Sequence, residues 1–290
     1  MGRSLFTVPC FGVRFLTDVV QAMAKLAKTL KAGIVAGVCG AGICAVARKI
    51  KLSSRVADLA QSVEAVPFPG ARLYTFLASR GFRPLYQAIA DDVAKGDHFE
   101  RILDLGTGVG YLPVELAKRD AACVVGVDTS AEMIRVANAN ALASGVSKVV
   151  EFAAGDIANL PFPGRYFDLA VAVNVLHHWR EPLAVFEEIF HILVPGGQFW
   201  IYDYRKGVEP EAWRSLESGL PFLQRLALQF GPVASSRAAY SEKQLTALAS
   251  KTHFENPETE KLTLPLFGKP MPVFLRLKLH KPAHVNGNNE

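Results

Sequence analysis

Cysteine is scarce in this chain, and the few cysteines present do not form a pattern. Four occur in 290 residues, at Cys10, Cys39, Cys44 and Cys123, without metal-ligand spacing or a disulfide framework. We therefore predict reduced thiols in an intracellular protein and no metal site. Internal repeats are absent from the sequence too.

Most of the chain carries no excess of positive charge. The net charge is +5, but the first 60 residues carry nine Lys and Arg against two Asp, so the remaining 230 residues carry −2. Enzymes that act on nucleic acid usually place positive charge around the active-site face. The charge distribution therefore argues against DNA or RNA as a partner.

A long apolar run is also missing. The longest uncharged stretch, residues 32–47, has sixteen residues, fewer than the ~20 that usually span a bilayer. Residues 15–30 before it have helical periodicity with one polar stripe. Basic residues flank the stretch, and their side chains can extend to the lipid interface and lengthen it.

Three interpretations of this N-terminal segment stay open. The favoured one is a membrane anchor at 30–48, which predicts membrane association through residues 15–50 and a catalytic domain facing the cytoplasm. The second is a cleaved signal peptide that begins at Met23. The third is a helix packed on the body or on a partner chain, which would leave the protein cytoplasmic.

Strand-like and helix-like patterns alternate from residue 100 onwards. Apolar runs such as RILDL and CVVGVD alternate with amphipathic stretches, which is typical of a parallel α/β sheet covered by helices on both faces. The patterns divide the chain as follows: a basic N-terminal segment at 1–52, a helical lead-in and cap at 53–98, a cofactor-binding core at 99–205, a helical insertion acting as a lid at 206–240, a helix and strand pair at 241–280, and a disordered tail at 281–290.

A glycine-rich loop follows the first strand of the core. In DLGTGVG the glycines are Gly106, Gly108 and Gly110, and Tyr111 stands where a dinucleotide fingerprint needs its third glycine. Asp104 precedes the loop, and its carboxylate would repel a diphosphate in a site of low dielectric. The loop thus favours a nucleoside cofactor that carries a cationic or hydroxyl-bearing group.

Two more carboxylates follow the next two strands. Asp128 ends the second strand, where a carboxylate can accept hydrogen bonds from both ribose hydroxyls. Asp156 follows the third strand and can accept from the amine of adenine, while Ile157 covers the ring.

This arrangement resembles the class I S-adenosylmethionine-dependent methyltransferases. Within that class it is most similar to the ubiquinone/menaquinone C-methyltransferase-like branch. The resemblance runs from about residue 100 to 204 and rests on stretches that occur in the family's order: DLGTGVG, GVD, AGDI, FDLAVAVNVLHH and LVPGG. It implies a Rossmann-like, seven-stranded methyltransferase sheet with S-adenosyl-L-methionine as cofactor. The N-terminal helical or anchor segment would be an extension of that fold.

The resemblance also implies a set of cofactor-binding residues. They are Asp104, Gly106, Thr107, Gly108 and Gly110 for the methionine end, Asp128 for the ribose, Met133, Asp156 and Ile157 for the adenine, Asn174 and Val175 for the amino-acid end, and Thr129 without assignment to one part of the cofactor.

Three residues are candidates for a role in catalysis. His177 and His178 follow the fourth strand beside the expected methyl position, where either can act as a base or simply pack the loop. Asp203 and Tyr204 end the fifth strand and face the same region, and we expect Tyr204 to line the acceptor pocket. The chain lacks an Asn-Pro-Pro-Tyr clamp and a cysteine pair, so methylation of amides, bases or RNA C5 is disfavoured.

Aromatic and aliphatic residues in the lead-in, such as Tyr74 and Tyr86, and in segment 206–239 favour a small, hydrophobic acceptor. A quinol, isoprenoid or lipid would fit them. Two alternatives stay open: a soluble methyltransferase of small metabolites, and a non-catalytic assembly factor with the same fold.

Overall fold

The computed structural model describes residues 70–283, apart from 120, 122, 222, 223, 226 and 227, and for residues 70–80, 230 and 231 it describes the backbone alone. The N-terminal segment, including the expected anchor at 30–48, lies outside the described residues, as does most of the tail at 281–290. Among the helices that are described, none is long and apolar enough to cross a membrane.

Seven strands in the described part of the chain form one mixed sheet. They are β1 (Arg101–Leu105), β2 (Cys123–Asp128), β3 (Val150–Ala154), β4 (Phe167–Val173), β5 (Leu193–Tyr204), β6 (Glu255–Leu266) and β7 (Lys269–His280). Their order is β3-β2-β1-β4-β5-β7-β6, with β1 to β5 parallel and β7 antiparallel to both of its neighbours. The Rossmann-like core expected from the strand and helix patterns is confirmed.

Helices cover both faces of the sheet. They are α1 (Gly70–Ala94), α2 (Tyr111–Ala117), α3 (Ala131–Ala143), α4 (Pro182–Ile192), α5 (Pro210–Glu217), α6 (Ala234–Ala238) and α7 (Glu242–Ala249), with a 3₁₀ turn at Leu176–His178 and a π turn at Gln229–Val233. Buried side chains of α1, α2 and α5 form the core of the first face. Those of α4 and α7 form the core of the second face.

Local sequence signals set the starts of two helices. The Ser130 hydroxyl accepts a hydrogen bond from Met133 N at the start of α3. Ser241 and Gln244 form a reciprocal capping box at the start of α7. Each cap satisfies backbone N–H groups that the first turn of a helix leaves without partners.

The last three strands are longer than the sequence indicated. The strand-like patterns of the sequence lie at 198–204, 260–264 and 272–279, and the structure has β5, β6 and β7 at twelve residues each. β5 begins early because Leu193 pairs with Phe167 ahead of an irregularity in register at 194–197. The outer part of β6 was missed because its residues are mostly polar and exposed, as befits an edge strand.

The direction of chain winding reverses between β1 and β4, which are neighbours in the sheet although two strands intervene in the sequence. In open parallel sheets ligands bind outside the carboxyl ends of the strands at this reversal. The glycine loop after β1 and Asn174 after β4 lie at this point.

Candidate active site

The glycine loop after β1 has an unusual backbone. Gly106, Gly108 and Gly110 have φ values of 68°, 53° and 75°, a left-handed conformation that is costly for residues with a Cβ. Thr107 N donates to Val127 O at 2.9 Å, and Gly110 N donates to Thr107 O at 2.9 Å. The loop that connects β1 to α2 is therefore a fixed turn, and a hydrogen bond joins it to the end of β2.

Two of these glycines leave space for neighbouring side chains. A Cβ on Gly106 would lie 2.6 Å from Val175 Cγ1, and one on Gly110 would lie 2.6 Å from Phe152 and 2.8 Å from Ala137 Cβ. A Cβ on Gly108 would meet nothing within 4 Å. Gly108 thus presents its backbone to open space, where a ligand can approach closely.

Asp128 holds the loop and keeps capacity for a ligand. Its Oδ2 accepts from Gly108 N at 2.9 Å and its Oδ1 from Ser130 N at 2.8 Å. Each carboxylate oxygen can accept two hydrogen bonds, so two acceptor positions remain for a pair of hydroxyls. Burial raises the pKa of Asp128, and the two backbone N–H groups oppose that rise.

Asp104 is buried beneath the loop, with 3% of its surface exposed. Burial raises its pKa to about 7, the Thr107 hydroxyl opposes the rise, and the Asp128 carboxylate adds to it. A cation brought near this group would favour the ionised form. The site therefore has a carboxylate that is poised to respond to a positively charged ligand.

Asn174 follows β4 with a φ of 56°, and its backbone N–H donates to Tyr202 O at 2.8 Å. Its side-chain Oδ1 is buried and has no hydrogen-bond partner in the described part of the chain. Buried polar atoms are rarely left without a hydrogen bond, so Asn174 Oδ1 is a candidate acceptor for a ligand donor such as an ammonium group. Val175, the next residue, packs against Gly106 and so joins the end of β4 to the loop.

The residues predicted to surround the adenine lie on the β2 and β3 side. Met133 is buried beside Val109 at the start of α3, and Ile157 is half-buried against the core of the second face. Asp156 is exposed, and its Oδ1 accepts from Ala158 N at 3.0 Å, which fixes the turn after β3. Thr129 is exposed beside Asp128. The roles of these residues toward a cofactor stay predictions.

His177 and Asp203 form a buried pair that the sequence did not predict as a pair. His177 Nδ1 lies 2.9 Å from Asp203 Oδ1 and 3.1 Å from Oδ2, with 1% of the histidine side chain exposed. The carboxylate also accepts from the backbone N–H of Tyr204 at 2.7 Å. An ionised carboxylate only accepts hydrogen bonds, so Nδ1 is the nitrogen that donates to Asp203, and in the neutral ring the lone pair is then on Nε2. Nε2 is buried and has no partner among the described residues.

Two more groups lie beside the pair. The ring of His178 is centred 4.0 Å from that of His177. Partial burial and the neighbouring His177 lower the pKa of His178 to about 4, so it is uncharged at neutral pH. Tyr240 packs on the same face of the sheet as Asp203, and its pKa is raised by burial and by the Asp203 charge.

Tyr204 lies apart from the histidines. Successive strand residues point to opposite faces, and Tyr204 packs into the first face, 5.0 Å from the ring of Phe274 and 6.2 Å from that of Trp213. The structure therefore does not bring Tyr204 to the His177–Asp203 pair. The neighbouring Asp203 is the β5 residue that the structure places there.

The fold and the site together resemble those of the class I S-adenosylmethionine-dependent methyltransferases. S-adenosylmethionine fits the residues present. Asn174 Oδ1 and the Asp104 carboxylate can accept hydrogen bonds from a cationic amine, Asp128 has acceptor positions left for ribose hydroxyls, and Gly108 leaves room for a ligand close to the backbone. Residues 103–201 match the family model described as "Methyltransferase domain", which confirms the expected cofactor and enzyme class for this segment.

Similar proteins methylate small molecules of several kinds. The chain is 32% identical over 131 residues to a sterol 24-C-methyltransferase of Gibberella zeae, covering 42% of this chain and 33% of the relative. It is 30% identical over 125 residues to norajmaline N-methyltransferase of Rauvolfia serpentina, covering 43% of this chain and 42% of the relative. The aligned part of the chain thus spans about a third to two fifths of the length of these relatives.

Similarity to solved structures extends over more of the chain. Phosphoethanolamine N-methyltransferase 2 of Haemonchus contortus, solved in complex with S-adenosyl-L-methionine, superposes with a TM-score of 0.55 at 18% identity. The match covers 74% of this chain and 57% of that structure. At this identity the likeness shows a shared fold, and function has to be argued from the site.

Proposed function

We propose that this protein transfers a methyl group from S-adenosylmethionine to a small, largely apolar acceptor that loses a proton when it is methylated. The observation that carries the proposal is the buried His177–Asp203 pair, which lies three residues after Asn174 and near the carboxyl ends of β4 and β5. When bound, S-adenosylmethionine supplies a methyl group on a sulfonium, which leaves a neutral thioether after transfer.

The chain's own residues then have three tasks. Asp104, Asn174 and Asp128 hold the cofactor, while the loop glycines let it approach the backbone. His177 Nε2 accepts the proton of the acceptor as the new bond to the methyl carbon forms. Asp203 holds the imidazole in the correct tautomer and stabilises the imidazolium that results. Orientation within a site closed to water supplies most of the remaining acceleration.

A hydrophobic acceptor is supported by the names of the relatives, which include a sterol and an alkaloid methyltransferase. These relatives act on carbon and on nitrogen, so the acceptor atom is not restricted by similarity. A quinol, as in the ubiquinone/menaquinone branch, an isoprenoid and a lipid all fit the proposal, and so does a soluble small metabolite.

A two-part experiment tests the proposal. Untargeted metabolomics of a strain that lacks the protein should show accumulation of a species lighter by one methylene than the normal product. Purified protein with tritiated S-adenosylmethionine should then label that species. Binding of S-adenosylhomocysteine without any labelling in extract would contradict the proposal and favour the non-catalytic assembly factor.

The proposal includes attachment to a membrane through residues 15–50, with the catalytic domain in the cytoplasm. Its support is the uncharged run at 32–47 between basic residues. Carbonate-resistant retention in the membrane fraction, lost on deletion of residues 1–50, is the expected result. Full-length protein in the soluble fraction would overturn this part and leave the cytoplasmic alternative.

A further inference from the structure

A groove with a positive charge lies beside the catalytic pair, on the same face of the sheet. It has a volume of about 710 Å³, and its lining includes four cationic side chains, Arg205, Lys206, Lys243 and Lys261. One carboxylate, Glu242, lines it as well, so the lining carries a net charge of +3. Residues 61–290 as a whole carry −2, which makes the groove a local concentration of positive charge.

These cations are weakly neutralised. Glu242 pairs with Lys261 at 3.2 Å, but both side chains are largely exposed, and exposed ion pairs contribute little stabilising free energy. Arg205 donates to the carbonyl oxygens of Pro272 at 2.8 Å and Gly207 at 3.4 Å, which orient the guanidinium without cancelling its charge. Among the described residues, none forms an ion pair with Lys206 or Lys243.

Strand register places the groove next to the catalytic pair. Asp203 of β5 lies directly opposite Leu275 of β7, and Leu275 lines the groove. Opposed residues on neighbouring strands point to the same face, with Cβ atoms ~5 Å apart. Arg205 N donates to Val273 O at 2.8 Å and continues the ladder, so Arg205 lies on the face of Asp203 as well.

A second connection runs through Tyr240. Lys206 N donates to Tyr240 O at 3.1 Å, and Tyr240 packs into the core cluster of the second face, which also contains Leu275. Ser241, the next residue, lines the groove. Two residues thus connect the groove to Asp203: Leu275 of β7, which lies opposite Asp203, and Ser241, which follows Tyr240.

We propose that this groove binds an anionic group, a carboxylate or a phosphate, carried by the methyl acceptor at the end remote from the methylated atom. The inference rests on the proposed function and extends it, since it makes the acceptor amphipathic rather than uniformly apolar. Charge-assisted hydrogen bonds from Arg205, Lys206 and Lys243 fix the anion, while Leu275 and Ala247 contact the adjoining apolar chain. The anion then sets the position of the reacting atom at His177.

The test is a binding measurement with defined probes in the presence of S-adenosylhomocysteine. Decyl phosphate, decanoate and neutral decanol are titrated below their micelle concentrations into the full chain. We expect at least one anion to bind about tenfold or more tighter than decanol, because each charge-assisted hydrogen bond contributes on this scale. The tighter of the two anions identifies phosphate or carboxylate as the natural group.

Variants locate the binding. The double variant Lys206→Gln, Lys243→Gln should weaken the anion about tenfold or more, whereas Lys206→Arg should retain it. Lys148→Gln removes one positive charge from an exposed site before β3 and should leave anion binding unchanged. Equal binding of decanol and both anions, or anion binding by the double variant equal to that of the wild type, would overturn the inference.

Three further outcomes keep the proposals separate. Binding to anionic phospholipid vesicles, in the absence of binding to any soluble probe, would overturn the inference in favour of a membrane-facing surface. Failure of the wild-type protein to bind S-adenosylhomocysteine would instead contradict the proposed function itself. A protein that binds S-adenosylhomocysteine but none of the anions would keep the proposed function and lose the inference.

Discussion

The backbone N–H of Gly108 donates to Asp128 Oδ2 at 2.9 Å, so the carboxylate at the end of β2 fixes the loop that follows β1. The geometry of the loop and the predicted binding of the ribose therefore depend on the same side chain. The neighbouring Gly110 fixes the loop differently, through the close approach of Phe152 and Ala137. The two glycines should respond differently to the same substitution.

Gly110→Ala should destabilise the fold more than Gly108→Ala. Both substitutions force a residue with a Cβ into a left-handed conformation at a cost of about 1–2 kcal/mol. Gly110→Ala adds overpacking against Phe152, about 1–3 kcal/mol more. Urea unfolding measures the difference, and Phe152→Ala should recover part of the loss in Gly110→Ala. Equal losses for the two single variants would contradict the contacts described.

Gly108→Ala should instead act on cofactor binding. Its Cβ would project into open space, which is where we expect the cofactor to approach the loop. We expect the variant to keep its fold and to lose affinity for S-adenosylhomocysteine by about tenfold or more, since one methyl group in a close contact is costly. Calorimetry on the folded variant measures this, and unchanged affinity would place the cofactor elsewhere.

Cofactor affinity should depend on pH through Asp104. Its pKa is about 7 in the free protein, and a bound cation favours the ionised form. Below pH 7 the carboxyl must release a proton on binding, so affinity should fall about tenfold per pH unit below 7 and level off above it. Calorimetry in buffers of different ionisation enthalpy detects the released proton. Asp104→Asn should abolish this release and the pH dependence.

The same group makes a prediction for stability. A carboxyl whose pKa is raised by folding leaves the free energy of unfolding unchanged below its unfolded pKa, near 4, because both the folded and the unfolded state are protonated there. Between that pKa and 7 the unfolded state ionises first, so stability falls, and above pH 7 the loss is complete. Asp104→Asn should therefore stabilise the cofactor-free protein at pH 8, by up to about 1.4 kcal/mol per unit of raised pKa, and have little effect at pH 4. Denaturant unfolding at both pH values measures this, and no gain at pH 8 would contradict the buried state of Asp104.

His177 should matter for turnover and His178 much less. His177→Ala removes the proposed base and should lower the rate of methyl transfer by about 10²–10⁴-fold. Asp203→Asn should also lower the rate, because an amide can donate to Nδ1 and favour the wrong tautomer. His178→Ala is the matched control, and a rate within threefold of wild type is expected. Labelling of the extract acceptor with tritiated S-adenosylmethionine measures all three variants, each with its affinity for S-adenosylhomocysteine as a check on folding.

Much of the core could be predicted from the sequence because short-range rules determine it. The alternation of apolar strands and helices fixed β1 to β4, and Ser130 and Ser241 fixed two helix starts. The glycine loop was predictable because left-handed backbone and close packing both require glycine. The polar outer half of β6 was not predictable, since its strand character comes from pairing with β7.

The partner of His177 depends on sheet order, which the local sequence does not specify. Asp203 is 26 residues away in sequence, and only the adjacency of β4 and β5 brings its carboxylate to the ring. The strand-end position of Asp203 was the available signal, and combining it with the expected strand order would have predicted the pair. Tyr204 was selected by the same position, but strand alternation sends it to the opposite face.

The most direct test of the central claim is calorimetric titration of the full chain with S-adenosylhomocysteine, with Asp128→Ala as the comparison. The account predicts saturable binding at a ratio of one to one, and loss of that binding in Asp128→Ala while Lys148→Gln binds as the wild type does. Absence of binding by the wild-type protein, or unchanged affinity in a folded Asp128→Ala variant, would contradict it.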